Sequence, residues 1–224
     1  MLKGFALYFI LSMLTRNPFL ALILLFVIYA VADKAYFGFL PDFIAPFKRN
    51  SRIKTLLAEL ELNPANADSA QELGVLYFEK RNYNRALQFL KKANEKVFNS
   101  PRLYLYMGMA YMELNRSTEG KQALDQAVGL DRKVGHGLPY IYLLQYELKR
   151  SNHFFDEIKV LEEGLGSFAS AENFYRMGVV YKKQGDRQKA RHMFECAIQE
   201  YSYVPKRLRR IHRKWAVFSW INRL

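Results

Sequence analysis

Side chains able to do chemistry are scattered along this chain rather than assembled. The four histidines are His136, His153, His192 and His212, and none has another four residues away. That spacing is what places two imidazoles on one helix face over a metal ion. Cys196 is the only cysteine, so neither an intramolecular disulfide nor a cysteine-cluster metal site can form. Paired acids occur at Glu59/Glu61 and Glu162-Glu163, in charged helical stretches where solvation is their ordinary role. No glycine-rich phosphate loop and no nucleophile turn is present. The sequence therefore predicts no catalytic residue, no cofactor and no metal, and the chain is read as a non-enzyme.

Charge is the next signal. Thirty-four lysines and arginines stand against 21 acids among 224 residues, a formal net charge of +13, which points to an anionic partner or surface. The excess is densest at the end. From Tyr201 onward there is no Asp or Glu, while Lys206, Arg207, Arg209, Arg210, Arg213 and Lys214 cluster beside Trp215 and Trp220. Pro205 can open a helix, and Leu208, Ile211, Trp215 and Phe218 then fall on one helical stripe. Residues 205–224 are thus expected to form a basic amphipathic helix. It either caps the preceding helices or contacts an anionic lipid membrane. Arginines beside aromatics also suit nucleic acid, but no nucleic-acid fold accompanies them, and that partner is not expected.

The elements that would carry these groups are set by a pattern that recurs. Leu73-Gly74, Tyr77, Ala86, Leu90 and Ala93 are matched by Met177-Gly178, Tyr181, Ala190, Phe194 and Ala197 at identical offsets. Between them stand Met107-Gly108, Tyr111, Gly120, Leu124 and Ala127. Gly74 and Gly108 are 34 residues apart; Gly108 and Gly178 are 70 apart, two periods plus two residues. Each unit reads as two helices that cross closely at the small residues and fill the remaining space with the large ones. No unit can bury its apolar face alone, so neighbours must stack.

This period and pattern resemble the tetratricopeptide repeat family. The resemblance implies an all-α solenoid of antiparallel helix pairs. The units are a half-unit at 51–66, with Ser51 as its helix cap, and repeats at 67–100, 101–134, 135–170 and 171–204. The third repeat departs most from the pattern. Tyr142 falls where Gly is expected and Gln145 where Tyr is expected, and Gly164-Leu165-Gly166 is read as ending its second helix early and carrying the two extra residues. In the family the first helix of each unit lines a concave face. Carried onto this chain, the partner groove comprises Val75, Phe78, Arg102, Leu105, Met109, Met112, Leu143, Tyr146, Tyr175, Val179 and Lys182. That set is apolar enough to expect a protein partner presenting an amphipathic helix or apolar segment. The other reading is that the protein fills its own groove, with part of 35–50 or with its tail. Val75, Met109 and Val179 occupy positions where a well-known subclass carries polar clamp residues, so binding of a chaperone tail is not expected.

Residues 1–40 are strongly apolar. They are read as a membrane-anchoring segment: a short interfacial or re-entrant helix, then one transmembrane helix over 18–40, with Asp33 and Lys34 near the headgroups. A hairpin that dips without crossing, and a signal peptide cleaved after Ala30-Val31-Ala32, are the alternatives. A proline-containing linker follows at 41–50. Basic residues after the span favour a single-pass membrane protein with its repeats in the cytoplasm. The expectation is a membrane-tethered scaffold or adaptor; the alternative is a structural or assembly subunit of a membrane complex, held by its N-terminal helices.

Overall fold

The computed structural model describes residues 2–33, 44–149 and 155–223. Two short apolar helices come first. Helix α1 (Leu2–Thr15) packs against α2 (Pro18–Ala32). Asn17 caps α2 by accepting from the backbone N–H groups of Phe19 and Leu20, and Pro18 takes the first turn, where a missing N–H costs nothing. Most apolar side chains of this hairpin are exposed, among them Phe9, Met13, Phe19 and Ile23; Ala21, at the crossing, is buried.

The expected membrane anchor is overturned here. No helix among the described residues is long and apolar enough to cross a membrane. Helix α2 has 15 residues, a length of about 22 Å, against a hydrocarbon core of about 30 Å. The expectation needs one helix to continue through Asp33 and Lys34 to Leu40. The described helix stops at Ala32 with Asp33 as its cap, and 34–43 lie outside the described residues. The transmembrane helix, the single-pass cytoplasmic-facing topology and the anionic-lipid partner are withdrawn with it.

The solenoid of helix pairs is present. Helix α3 (Ala45–Leu62) begins six residues ahead of the expected cap at Ser51, because Pro46 sits in its first turn rather than breaking it. The linker is correspondingly shorter than 41–50. Ile53, Leu56 and Leu60 of α3 bury against α4 (Ala67–Glu79), and Arg52 forks onto Glu72 at 2.7 Å through both Nε and a terminal nitrogen. Helix α4 pairs with α5 (Tyr83–Asn94), α6 (Pro101–Glu113) with α7 (Ser117–Leu130), α8 (Leu138–Lys149) with α9 (Phe155–Gly166), and α10 (Ala171–Lys183) with α11 (Arg187–Tyr203). Side-chain caps open most of these helices: Asn66, Asn82, Ser100, Ser170 and Asp186 each accept from a backbone N–H in the first turn.

The pairs cross where the repeated pattern placed small residues. A Cβ on Gly74 would stand 2.5 Å from Leu90, one on Gly108 2.6 Å from Leu124, and one on Gly178 2.5 Å from Phe194. The large residue of the second helix thus sits directly over the glycine of the first. Its burial is complete or nearly so in all three units.

The third unit differs, and not as the sequence suggested. Burial aligns Leu144, not Tyr142, with the glycine position. Leu144 stands 36 residues after Gly108 and 34 before Gly178. Pro139 and Leu143 are buried like their counterparts Asn173 and Met177, and Glu147 is 2% exposed where the other units bury Tyr77, Tyr111 and Tyr181. The two extra residues therefore lie ahead of α8, in a short 3-10 turn at Val134–Gly137 whose Gly135, His136 and Gly137 all have positive φ. Asn173 of α10 holds this turn, donating through Nδ2 to the carbonyls of His136 and Phe168, both at 2.8 Å. Gly137 is required twice over: its φ is +95°, and a Cβ would stand 2.8 Å from Asn173. Helix α9 does not end early at Gly164 but runs through Gly166. Gly164 is instead the close-approach site, with a Cβ there falling 2.6 Å from the Tyr140 ring. Leucine in place of the crossing glycine keeps α8 and α9 from meeting as the other pairs do. A cleft of about 320 Å³ opens between α7, α8 and α9, floored by Leu143, Val160 and Leu161 and rimmed by Lys121, Asp125 and Glu157.

The last helix, α12 (Arg209–Asn222), packs on both α10 and α11. Its buried residues are Ala216 and Ser219, while Leu208, Ile211 and Phe218 are each at least 40% exposed. The expected stripe of Leu208, Ile211, Trp215 and Phe218 is thus not the buried face, and the basic amphipathic terminal helix expected from the sequence is not found. Close approach to α10 and α11 selects small side chains, which a hydrophobic-periodicity argument does not register.

Candidate functional site: the face formed by the first helices

The partner residues expected from the sequence divide in three. Val75, Leu105, Met109 and Leu143 are core side chains, each at most 5% exposed. The last three pack with Leu124, Ala127 and Val134 where the second and third units meet. They offer almost no surface to the face of the first helices, and Leu143 instead floors the cleft between α7, α8 and α9. Phe78 and Arg102 flank the same face further toward the N-terminus: Phe78 is wedged between the rings of Tyr83 and Tyr106, and the Arg102 guanidinium lies 5.9 Å from the Tyr106 centroid. Met112, Tyr146, Tyr175 and Val179 line open space, while Lys182 is exposed outside that lining and donates to Asn222 of α12 at 3.0 Å.

That open space is one continuous groove across α6, α8 and α10. Its first part, about 140 Å³, is walled by Met112, Glu113, Tyr142, Gln145, Tyr146 and Lys149. The second, about 260 Å³, shares Glu113, Tyr142 and Gln145 and continues over Tyr175, Arg176, Val179 and Lys183 to Trp215. The shifted register explains why Tyr142, Gln145 and Lys149 line it. They stand 34 residues before Arg176, Val179 and Lys183, so the two helices present equivalent faces. With the extra residues assigned after α8 instead of before it, sequence reasoning selects Leu143 and misses these three. The available signal was the Gly135-His136-Gly137 run, a turn rather than the start of a helix.

The electrostatics of the groove are uneven. Glu113 is engaged: the Tyr142 hydroxyl donates to it at 3.1 Å. Burial, reinforced by Glu113, raises the pKa of the Tyr142 phenol well above its ordinary value, and that of Tyr83 in the same direction. Arg176 is engaged with Glu172, whose Oε1 accepts from Nε at 3.0 Å and from a terminal nitrogen at 2.7 Å. Lys149 and Lys183 are exposed, and no carboxylate among the described residues pairs with either.

The far wall is aromatic. Tyr175 is packed among Phe194, Trp215 and Phe218, its centroid 5.4 Å from that of Trp215. Trp215 itself lies between two cations, with Arg176 at 5.4 Å and Lys214 at 4.7 Å from its ring. The remaining tail residues do other things. Arg209 donates to the carbonyls of Val204 and Ser202, tying the chain between α11 and α12, while Lys206, Arg207, Arg210 and Trp220 are exposed. Among the described residues no group of three or more His, Cys, Asp or Glu could hold a metal ion. Cys196 is half-buried, its thiol 3.7 Å from His192, and burial pushes its pKa up, away from reactivity.

Comparison with known proteins agrees with this architecture. One tetratricopeptide repeat model matches residues 67–95 and 101–134, and a second matches 172–202; the irregular third unit is matched by neither. No curated protein sequence is significantly similar to the chain. Among solved structures, MamA shares 20% identity over 73% of this chain and 96% of its own, with a TM-score of 0.57. YrrB, described as a TPR protein with an unusual peptide-binding site, shares 20% identity over 76% of this chain and 85% of its own, with a TM-score of 0.53. The C-terminal part of a TPR repeat-containing protein from Cytophaga hutchinsonii shares 18% identity over 80% and 69%, with a TM-score of 0.52. At these identities the likeness is one of fold, a tetratricopeptide-type solenoid of helix pairs.

Proposed function

We propose that this chain is a protein-binding scaffold whose ligand lies in the groove over α6, α8 and α10. The observation that supports this reading is the groove itself, with Met112, Tyr142, Tyr146, Tyr175, Val179 and Trp215 presenting apolar and aromatic surface in a concave strip. Clefts of this kind, with a few polar groups set among aromatics, are the usual seats of ligands. Stacked repeats also provide the rigid backing such a surface needs. The partner is a segment of another protein with apolar side chains. Binding it on a rigid stack raises its local concentration near anything else the scaffold holds.

A photo-reactive phenylalanine analogue placed at Val179 in the chain's native cells, against the same analogue at Gln188 on the outer helix, tests the surface. The adduct formed from Val179 alone identifies the partner. The purified partner should then bind the wild-type chain and bind Val179→Asp at least tenfold more weakly, with the helical circular-dichroism signal intact. Equal adducts from both positions, or unchanged affinity in Val179→Asp, would refute the groove as the site.

A further inference from the structure

We infer that the groove takes an acidic segment carrying one large apolar anchor, and that Trp215 of α12 completes the anchor's seat. The inference rests on the groove being the binding site and adds the chemistry of what fills it.

The anchor's place is the larger part of the groove. Ile141, Tyr142, Tyr175, Val179 and Val180 form its base, and Trp215 closes one side. Helix α12 follows α11 and packs on both α10 and α11, in the place a next first helix takes, and its indole is the wall that Tyr175 would otherwise leave open. The seat therefore exists only while α12 is docked. The indole is held edge and face by Tyr175, Phe218, Arg176 and Lys214, so it is a fixed wall and not a loose cover.

The acidic character follows from which charges are already satisfied. Arg176 is neutralised by Glu172, while Glu113, whose partner is the neutral Tyr142 hydroxyl, keeps its negative charge in the wall shared by the two parts of the groove. The two edges beyond it are positive, Lys149 at one and Lys183 at the other, so cations outnumber the single free carboxylate. Basic side chains flanking an apolar seat attract carboxylates on either side of an apolar residue, and like charges there would repel a basic segment. The net charge of +13 adds a long-range field of the same sign.

The test pans a random dodecapeptide display library on the full chain, then measures the selected peptides against variants. Enrichment of Asp and Glu around a single Phe, Leu, Trp or Met is expected. The selected peptides should bind Lys149→Glu/Lys183→Glu at least tenfold more weakly, since both lysines are exposed and their reversal leaves the fold intact. Trp215→Ala should weaken binding similarly, while Trp215→Phe, which keeps the packing on Tyr175, should recover part of it. Peptides with no acidic enrichment, unaffected by the lysine reversals yet lost in Val179→Asp, would overturn this inference and leave the groove standing. Peptides insensitive to Val179→Asp, or none selected at all, would overturn both.

Discussion

Gly178 and Gly129 show how differently one residue type behaves in this fold. A methyl on Gly178 would meet the Phe194 ring, which is 1% exposed and has nowhere to retreat. Gly178→Ala should cost about 1–3 kcal/mol, the usual penalty for overpacking a filled site, seen as a lower urea midpoint. Gly129 lies exposed near the end of α7, and a methyl there would meet nothing within 4 Å. Gly129→Ala should raise stability by roughly 0.5–1 kcal/mol through helix propensity and a stiffer unfolded chain. The same change of opposite sign at two helical glycines is the residue-level signature of repeat crossing. The buried phenols carry a second prediction. Burial raises the pKa values of Tyr142, Tyr181 and Tyr83, and Glu113 or Glu162 reinforces the shift. In the unfolded chain these groups ionise near pH 10. Their contribution is therefore complete below that pH and is lost as pH rises toward and past the higher folded values. Stability should fall steeply above pH 10, and Tyr142→Phe should make that alkaline decline shallower in denaturant titrations; an unchanged slope would contradict the assignment.

At the level of helices, the weak joint is α8 with α9. The other three pairs seat a large residue over a glycine; here Leu144 occupies the glycine position and Glu147 the aromatic one. Helix α9 buries Ile158 and Leu165 while leaving Val160 64% exposed. Segments with few buried apolar contacts open first. Amide exchange in α9 should thus be faster than in α5, α7 and α11, read peptide by peptide by mass spectrometry, and equal protection throughout would rule out the weak joint. Helix α12 is the opposite case. Its Ala216 and Ser219 are buried on α10 and α11, and Trp215 and Phe218 lie on Tyr175. Truncation before Pro205 should lower the melting temperature and expose the α10–α11 pair to protease earlier than the α4–α5 pair.

For the molecule as a whole, legibility tracks the physics of each signal. Three of the four repeats are readable because their spacing is dictated by helix crossing, which tolerates only a glycine or alanine under a large side chain. The third is not, since a two-residue step can be inserted anywhere a turn permits and leaves no periodic trace. The apolar content of residues 1–40 is readable, but an apolar run does not by itself give a helix long enough to cross a membrane, and none is found among the described residues. The groove is half legible. Tyr175, Val179 and Met112 follow from correct registers, while Leu105, Met109 and Leu143 are assigned to a surface that the stacking of neighbouring units closes. The tail's charge is plain in the sequence, yet its seat depends on the small residues Ala216 and Ser219.

The position of Trp215 also makes the molecule its own optical probe. The chain has two tryptophans, Trp215 in the groove wall and Trp220 facing out with 53% of its surface exposed. In Trp220→Phe a single indole emitter remains, pinned between two cations beside the open seat. Anything that enters the seat displaces water from that ring and shifts its emission to shorter wavelength, so occupancy can be followed by fluorescence without attaching a dye.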